Sequence, residues 1–443
     1  MKERVGFVML ALALLVVTAA WQAPALLQKI PGRQIARLPV AVQQWLVPPP
    51  ASDILPTPVG QVDISQLLLA ATVSATPSAT VMVEPVPPTA VPTNTTVDPS
   101  TAVPTIPPAT LTPTPPPTAT PIPWPATARL NNIQHHFQDW NNCGPATISM
   151  ALSYFGIYRP QAETARLLKG NPEDRNVSPD EMAAYVNAQT ELQAIFRANG
   201  HLDDLRRLIS SGFPVIIELG INPPGEYRWM GWYGHYLLVV AYDDDKELFW
   251  VYDSWFGTSE TPGENANRDG REVSYAQLDR QWREFNRNYI LLFRPEDGLT
   301  INHLLARQLD DEQMWTDAVT RAQTELQAEP QDAFLWFNLG TSLTALGDYE
   351  RAAVAFDQAR AIGLPWRMLW YQFGLYEAYY QVGRYQQLLL LAETTLQNRP
   401  YFEESFYYQG LALAALGRNA EAERSFRQAA ALNVNYIPAI AAP

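Results

Sequence analysis

Cysteine is nearly absent from this chain, because its 443 residues include only one, Cys143. A single thiol excludes an intramolecular disulfide and a zinc site built from cysteine pairs. The thiol is therefore either small buried packing or a reactive group, and its local sequence has to decide between the two. The adjacent His135 and His136 point apart and lack a carboxylate partner, so we expect no metal site and no cofactor.

Positive charge is also in short supply. Lys and Arg total 31 against 45 Asp and Glu, which gives a formal net charge of −14 at pH 7. Nucleic-acid binding depends on neutralising phosphates with Lys and Arg, and an acidic chain repels that backbone. The composition therefore predicts no nucleic-acid partner. The length is sufficient for two or three domains with separate cores.

A long uncharged stretch follows the first few residues. Lys2 and Arg4 precede an apolar run over residues 5–21, and the next charge is Lys29. This pattern predicts a signal anchor or a signal peptide over residues 1–28, with its positive end inside the cell. We therefore expect a membrane-anchored protein with extracytoplasmic soluble domains, or a secreted one if the segment is cleaved.

Proline is concentrated in one part of the chain. Residues 47–127 carry 21 of the 38 prolines and only four charges, together with many threonines. Such a composition cannot form a core, and runs such as PTPPP favour an extended polyproline II conformation. We therefore predict a juxtamembrane segment and a disordered Pro/Thr-rich linker over residues 29–128.

The surroundings of Cys143 favour a reactive thiol. The residues after it, including Ile148, Ala151 and Leu152, have helical apolar spacing, so a helix begins close to Cys143. The unpaired N–H groups of a helix N-terminus stabilise a thiolate and lower the pKa of the thiol. The alternative is a small buried residue that starts a core helix.

A predicted hairpin brings a histidine and an aspartate together. Two apolar strands flank the sequence DDDKE, and a turn centred on Asp245 would pair residue 237 with Asp253. His235 and Asp253 would then lie diagonally on one face of the sheet. A slip of one residue would place them on opposite faces, so the pairing is a sharp geometric prediction.

These residues carry a specific resemblance. Residues 138–145 (QDWNNCGP), 234–236 (GHY) and 252–255 (YDSW) resemble motifs of the C39-like peptidases of the papain-like superfamily. The resemblance implies an α+β papain-like fold with Cys143 as nucleophile, His235 as general base and Asp253 orienting His235. It also implies that Gln138 donates to the oxyanion, although four residues separate it from Cys143 and the family more often has five.

A regular repeat marks the C-terminal third. Pro330, Pro365 and Pro400 recur at intervals of 35 residues, and glycines recur almost as regularly, which indicates a solenoid of helix pairs. The repeats resemble tetratricopeptide repeats, with a middle unit whose residues 387–392 (QLLLLA) depart from the usual alanine pattern. The resemblance implies a concave surface for a protein partner; the alternative is a packing platform for the peptidase domain or an oligomer contact.

The sequence thus predicts an α+β papain-like domain plus an all-α tetratricopeptide solenoid, preceded by a membrane helix and a disordered stalk. We expect an extracytoplasmic cysteine peptidase that acts on a peptide or protein substrate. The alternatives are a catalytically inactive adaptor and an acyl-transferring, transpeptidase-like enzyme. The predicted divisions are residues 1–28 (anchor or signal peptide), 29–128 (linker), 129–297 (peptidase domain) and 298–443 (repeat domain).

Overall fold

The computed structural model describes residues 34, 38–46, 53–58, 63, 64, 67, 124–174, 176–257 and 269–437. The predicted membrane segment, residues 1–28, lies outside the described residues, as does most of the predicted linker, residues 29–128. Among the described residues, no helix combines the length and the apolar character needed to cross a bilayer.

An antiparallel sheet of seven strands organises the first domain. Its strands are β1 (Thr127–Arg129), β2 (Gln193–Arg197), β3 (Val215–Ile221), β4 (Tyr233–Asp243), β5 (Leu248–Asp253), β6 (Arg271–Ser274) and β7 (Tyr289–Phe293). The spatial order is β2-β7-β3-β4-β5-β6, and β1 pairs with the end of β4 near the turn. The last strand in sequence therefore lies inside the sheet, between β2 and β3.

Helices cover both faces of this sheet. In chain order they follow a short helix α1 (Val40–Leu46) and are α2 (Cys143–Tyr154), α3 (Gln161–Leu168), α4 (Pro179–Gln189), α5 (Leu202–Ser210) and α6 (Tyr275–Arg283). All of β3 is buried because Ile216 packs with α2 and α4, whereas Val215 and Ile217 pack with α5 and α6. Each such side chain contributes roughly 1.5–3 kcal/mol to stability.

The predicted hairpin is confirmed. β4 and β5 pair with Leu237 opposite Asp253, as a turn centred on Asp245 requires. A bulge between Val239 and Ala241 shifts the register only on the side nearer the turn. The helix expected to begin near Cys143 is α2, and it begins at that residue. Local patterning therefore places both halves of the candidate site correctly.

The chain after the sheet is helical, as predicted. Its helices are α7 (Gly298–Leu305), α8 (Asp311–Ala328), α9 (Ala333–Ala345), α10 (Tyr349–Ile362), α11 (Gly374–Gln381), α12 (Tyr385–Asn398), α13 (Glu403–Ala415) and α14 (Asn419–Leu432). A Cβ on Gly340 would lie 2.7 Å from the ring of Phe356, and one on Gly410 would lie 2.5 Å from Phe426. The repeated glycines thus allow close packing within helix pairs, while the assignment as tetratricopeptide repeats stays a prediction.

The middle helix pair departs from its neighbours, although not where the leucine-rich segment suggested. α12 has 14 residues like α10, whereas α11 has only eight. The chain before α11, residues 364–373, forms a loop that contains a short 3₁₀ helix, Met368–Trp370, and we call it the docking loop. Its buried large apolar and aromatic side chains are Leu364, Trp366, Met368, Leu369, Trp370 and Tyr371.

Part of the predicted linker is packed instead of extended. Leu55 and Leu67 are buried in the core of the helical region. The Leu55 N–H donates to Leu364 O (2.9 Å), and the Trp366 N–H donates to Asp53 O (3.0 Å). Leucine and isoleucine side chains distinguish this stretch from the Pro/Thr-rich sequence that follows it, so it can bury apolar surface.

Candidate active site

Cys143 occupies the first position of α2, and hydrogen bonds from Lys169 hold the turn that precedes it. Lys169 donates through Nζ to Asn141 O (2.8 Å) and to Asn142 Oδ1 (3.3 Å). The first N–H groups of a helix have no partner within the helix, so the sulfur sits where negative charge is favoured. Cys143 is partly exposed, which argues against a residue sealed in the core.

His235 lies between the sulfur and a carboxylate. It is the third residue of β4 and is almost fully buried. Its Nε2 lies 2.8 Å from Asp253 Oδ1, and the imidazole is close enough to Cys143 for each group to shift the pKa of the other. The three residues predicted from the sequence are therefore brought together, and the diagonal pairing of β4 and β5 is the cause.

Asp253 is the most tightly held of the three residues. Besides His235, its Oδ1 accepts hydrogen bonds from the backbone N–H groups of Trp255 (2.9 Å) and Phe256 (3.0 Å). Its Oδ2 accepts from Arg271 Nη2 (2.8 Å). The side chain is fully buried, and these four donors together fix the direction in which it faces the imidazole.

Arg271 is the residue that sequence reasoning missed. It is buried at the start of β6, where Arg271 and Val273 face inward and Glu272 and Ser274 face solvent. An arginine at an inward position of an alternating strand requires a buried acidic partner. That alternation was the available signal, but the partner is 18 residues away in sequence and could not be identified from the pattern.

The electrostatics of the site favour separated charges. Burial would raise the pKa of Asp253, but the charges of His235 and Arg271 outweigh it and lower that pKa. Burial would lower the pKa of His235, yet the Asp253 carboxylate and the Cys143 thiolate raise it to about 9. For Cys143, the opposing effect of burial is overcome by His235 and by the charge of Lys169, so its pKa is lowered. The arrangement can therefore hold a thiolate beside an imidazolium at neutral pH.

Gln138 lies beside the same strand end. Its backbone N–H donates to Ser254 O (2.7 Å), and its Oε1 accepts from Ser254 Oγ (2.9 Å). These bonds attach Gln138 to the residue that follows Asp253. Within the described residues, no hydrogen bond joins Gln138 directly to Cys143. The structure thus brings Gln138 to the site through Ser254, and its predicted role stays a prediction.

His135 has a structural partner at the site. Its Nε2 donates to the Asp253 carbonyl oxygen (2.7 Å), and its ring packs edge-on against Phe137. Where the chain is described, no group of three or more His, Cys, Asp and Glu side chains is arranged to hold a metal ion. The carbonyl contact instead ties the chain before α2 to the end of β5.

Trp232, three residues before His235, is packed inside the protein. Trp232 stacks on Phe285 with ring centroids 5.6 Å apart, and its Nε1 donates to Glu284 Oε2 (2.6 Å). Trp232 therefore belongs to the buried core. Trp255 instead lies next to the imidazole of His235, at a ring-centroid distance of 6.3 Å.

A second buried carboxylate lies on the neighbouring strand. Glu218 is opposite Tyr236 in the pairing of β3 with β4, and Asn288 Nδ2 donates to its Oε2 (2.8 Å). Burial raises the pKa of Glu218 to about 8, because the hydrogen bond from Asn288 offsets only part of the cost and the nearby Cys143 thiolate adds to it. Glu218 is therefore protonated at neutral pH.

One comparison with known proteins identifies the family of this domain. A crystal structure described as a C39-like peptidase from Bacillus anthracis shares 15% sequence identity, covers 38% of this chain and 98% of its own chain, and gives a TM-score of 0.29. No curated protein matches the chain. The model of the Peptidase_C39 like family matches residues 127–287, and these residues therefore form a Peptidase_C39-like domain.

Proposed function

We propose that this protein is a cysteine peptidase that hydrolyses peptide bonds. Cys143 is the nucleophile, His235 the general base and acid, and Asp253 the residue that orients His235. The observation that carries the proposal is the imidazole of His235, whose Nε2 lies 2.8 Å from the Asp253 carboxylate and which lowers the pKa of the Cys143 thiol. The family match over residues 127–287 supports the same class of reaction.

The charges and distances support a two-step hydrolysis. The thiolate of Cys143 attacks the carbonyl carbon, so a C–S bond forms and the carbonyl electron pair moves onto oxygen. When the intermediate collapses, the imidazolium of His235 donates its proton to the leaving amine as the C–N bond breaks. Water, deprotonated by the now neutral imidazole, then attacks the thioester and releases the acid and the thiolate.

Gln138 is our candidate for stabilising the oxyanion. Because Ser254 Oγ donates to Gln138 Oε1, the carboxamide is held with its NH₂ group as the remaining polar end. That group and the backbone N–H of Cys143 would donate to the developing negative charge. A donor of this kind contributes roughly 3–4 kcal/mol to transition-state stabilisation in well-studied enzymes.

We place the peptidase outside the cytoplasm on an N-terminal anchor, on the basis of the charge pattern of residues 1–29.

For the helical region we propose tetratricopeptide-like binding of a protein partner or substrate. An open cleft of about 310 Å³ lies between its last helices, and we propose it as the place where such a partner would bind. Its lining includes Glu393, Phe406, Arg418, Glu421 and Arg424.

The reactivity of the thiol tests the catalytic proposal without knowledge of the substrate. We expect iodoacetamide to alkylate Cys143 of the full chain at pH 6–7 much faster than a free thiol, which is almost wholly protonated there. His235→Ala should lower that rate by at least about tenfold, because the ion pair is lost. His303→Ala, in α7, is the matched control and should leave the rate unchanged.

The outcomes separate the alternatives. Slow alkylation that does not respond to His235→Ala would favour a non-catalytic adaptor. If the ion pair is present, a peptide library should be cleaved by the wild-type chain and not by Cys143→Ala. Transfer of the acyl group to an added amine in preference to water would identify a transpeptidase-like enzyme instead.

A further inference from the structure

The docking loop of the helical region contacts the beginning of the strand that carries His235. Arg367 donates through Nη1 to Trp232 O (3.1 Å) and also to Met230 O. Its guanidinium lies 4.0 Å from the ring centroid of Tyr233, the first residue of β4. Arg367 is 5% exposed, so a buried cation binds the backbone only three residues before the catalytic histidine proposed above.

Tyr371 packs on the next residue of the same strand. A Cβ built on Gly234 would lie 3.0 Å from Cδ1 and Cε1 of Tyr371, and 2.6 Å from Phe285. Position 234 therefore has to be glycine for the Tyr371 ring to lie against the backbone. Trp232 extends the contact, with its ring centroid 5.8 Å from that of Tyr371. Tyr233 and Gly234 are thus both covered by side chains of the docking loop.

Tyr371 is also close enough to the sulfur to be affected by its charge. Burial raises the pKa of Tyr371 well above its usual value, and the neighbouring Tyr233 and the Cys143 thiolate raise it further. The phenol therefore stays neutral near the thiolate. This effect agrees with the packing at Gly234, which puts the aromatic ring next to the residue before His235.

The docking loop is itself held on its other side. Residues 53–55 form hydrogen bonds with the backbone of Leu364 and Trp366, and Arg360 donates from Nε to Pro56 O (2.9 Å). Trp366 also packs against Arg367, whose guanidinium carbon lies 4.3 Å from the centroid of the Trp366 ring. Because residues 53–56 hold one side of the docking loop, its other side can hold the start of β4 in place.

Resting on the proposed function, we propose that Arg367 and Tyr371 are positioning residues of the catalytic site, so that the helical region is part of the working enzyme. Both residues lie outside the matched domain, residues 127–287, and neither touches the imidazole. They hold the backbone of residues 232–234, and this determines where His235 meets Cys143. Displacement of a reacting group by about 1 Å can cost roughly 100-fold in rate.

The test compares two arginines of the helical region in the full chain. Arg367→Met keeps the aliphatic stem and removes the guanidinium that binds the strand. Arg384→Met is the matched control, since Arg384 also lies 4.0 Å from a tyrosine ring, that of Tyr379, but pairs with Asp357 within the helical region. The readouts are the melting temperature and the pH dependence of iodoacetamide alkylation of Cys143.

We expect Arg367→Met to raise the apparent pKa of Cys143 and to slow alkylation at pH 6–7 by about tenfold, since one pKa unit is a tenfold change in thiolate. Arg384→Met should lower the melting temperature by a comparable amount and leave the pH profile unchanged. A second pair tests Tyr371: Tyr371→Phe keeps the ring on Gly234 and should retain the profile, whereas Tyr371→Ala should shift it as Arg367→Met does.

An unshifted pH profile in a folded Arg367→Met chain would overturn the proposal, as would equal shifts in Arg367→Met and Arg384→Met. The effect of His235→Ala alone on the alkylation rate of Cys143 separates this result from failure of the proposed function. If His235→Ala changes alkylation and Arg367→Met does not, only the role of the docking loop is rejected. If His235→Ala has no effect, the peptidase assignment itself is rejected.

Discussion

Two buried carboxylates near Cys143 have opposite pKa shifts. Asp253, at the end of β5, is completely buried and its pKa is lowered, whereas burial raises the pKa of Glu218, in β3, to about 8. Both have lost their contact with water. Asp253 faces His235 and the guanidinium of Arg271, while Glu218 faces the neutral amide of Asn288. The charge of the partners, more than depth, therefore decides which carboxylate is ionised.

The two groups have opposite effects on stability as pH changes. The lowered pKa of Asp253 means that its contribution is present above the unfolded-state value near 3.8 and is lost as pH falls below it. The raised pKa of Glu218 means that the unfolded chain releases a proton near pH 4.5 that the folded chain retains up to about 8. Folding is therefore disfavoured as pH rises through that interval.

Removing the charge of Asp253 should produce the largest change. In Asp253→Asn the imidazolium of His235 loses its carboxylate, and the thiolate of Cys143 loses its counterion in turn. We expect the rate of peptide hydrolysis to fall by up to roughly 10⁴, the loss that follows replacement of the carboxylate of such a triad. Steady-state kinetics on a cleaved library peptide measure it, and a loss of less than tenfold would contradict the assigned role.

Removing the cation next to Asp253 should have an intermediate effect. Arg271→Met leaves Oδ2 without its charged partner, so the free energy of unfolding should fall by about 2–3 kcal/mol in urea titrations, somewhat below the cost of fully breaking a buried pair. Arg294→Met is the matched control: Arg294 also lies over a phenylalanine ring but is exposed. Equal effects of the two changes would mean that the Arg271 contact with Asp253 adds nothing.

Removing the titration of Glu218 should have the smallest effect, and one confined to a pH interval. Glu218→Gln keeps the size of the side chain and removes its titration. The free energy of unfolding of the wild-type chain should fall by up to about 1.4 kcal/mol per pH unit between pH 4.5 and 8. The variant should not show this fall. Urea titrations at several pH values measure this slope. The exposed Glu312→Gln serves as control, and parallel pH curves for Glu218→Gln and wild type would show that Glu218 is ionised in the folded chain.

The residues of the candidate site differ in how well sequence could place them. Cys143 could be placed because the apolar spacing of Ile148 and its neighbours marks a helix start. His235 and Asp253 could be placed because strand alternation and a short polar turn set their register. These are local patterns, with the relevant residues within about one hairpin of each other.

Residues whose roles depend on distant contacts could not be placed in this way. Arg271 reaches Asp253 across a sheet register that no local period specifies, and Arg367 reaches Trp232 across 135 positions. The repeat period predicts a helix pair in each unit, but residues 364–373 form a loop because Trp366 and Tyr371 pack against other elements. Tertiary packing outweighed the repeat pattern at that point.

The packing of Leu55 and Leu67 has a consequence for the Pro/Thr-rich stretch, residues 72–123. On its N-terminal side, Leu55 and Leu67 are buried among the helices, and on its C-terminal side β1 is hydrogen-bonded into the sheet. The chain on either side of the stretch is thus held to one folded body by non-covalent contacts. A protease that nicked the stretch once would break the covalent chain, yet the two fragments would stay together.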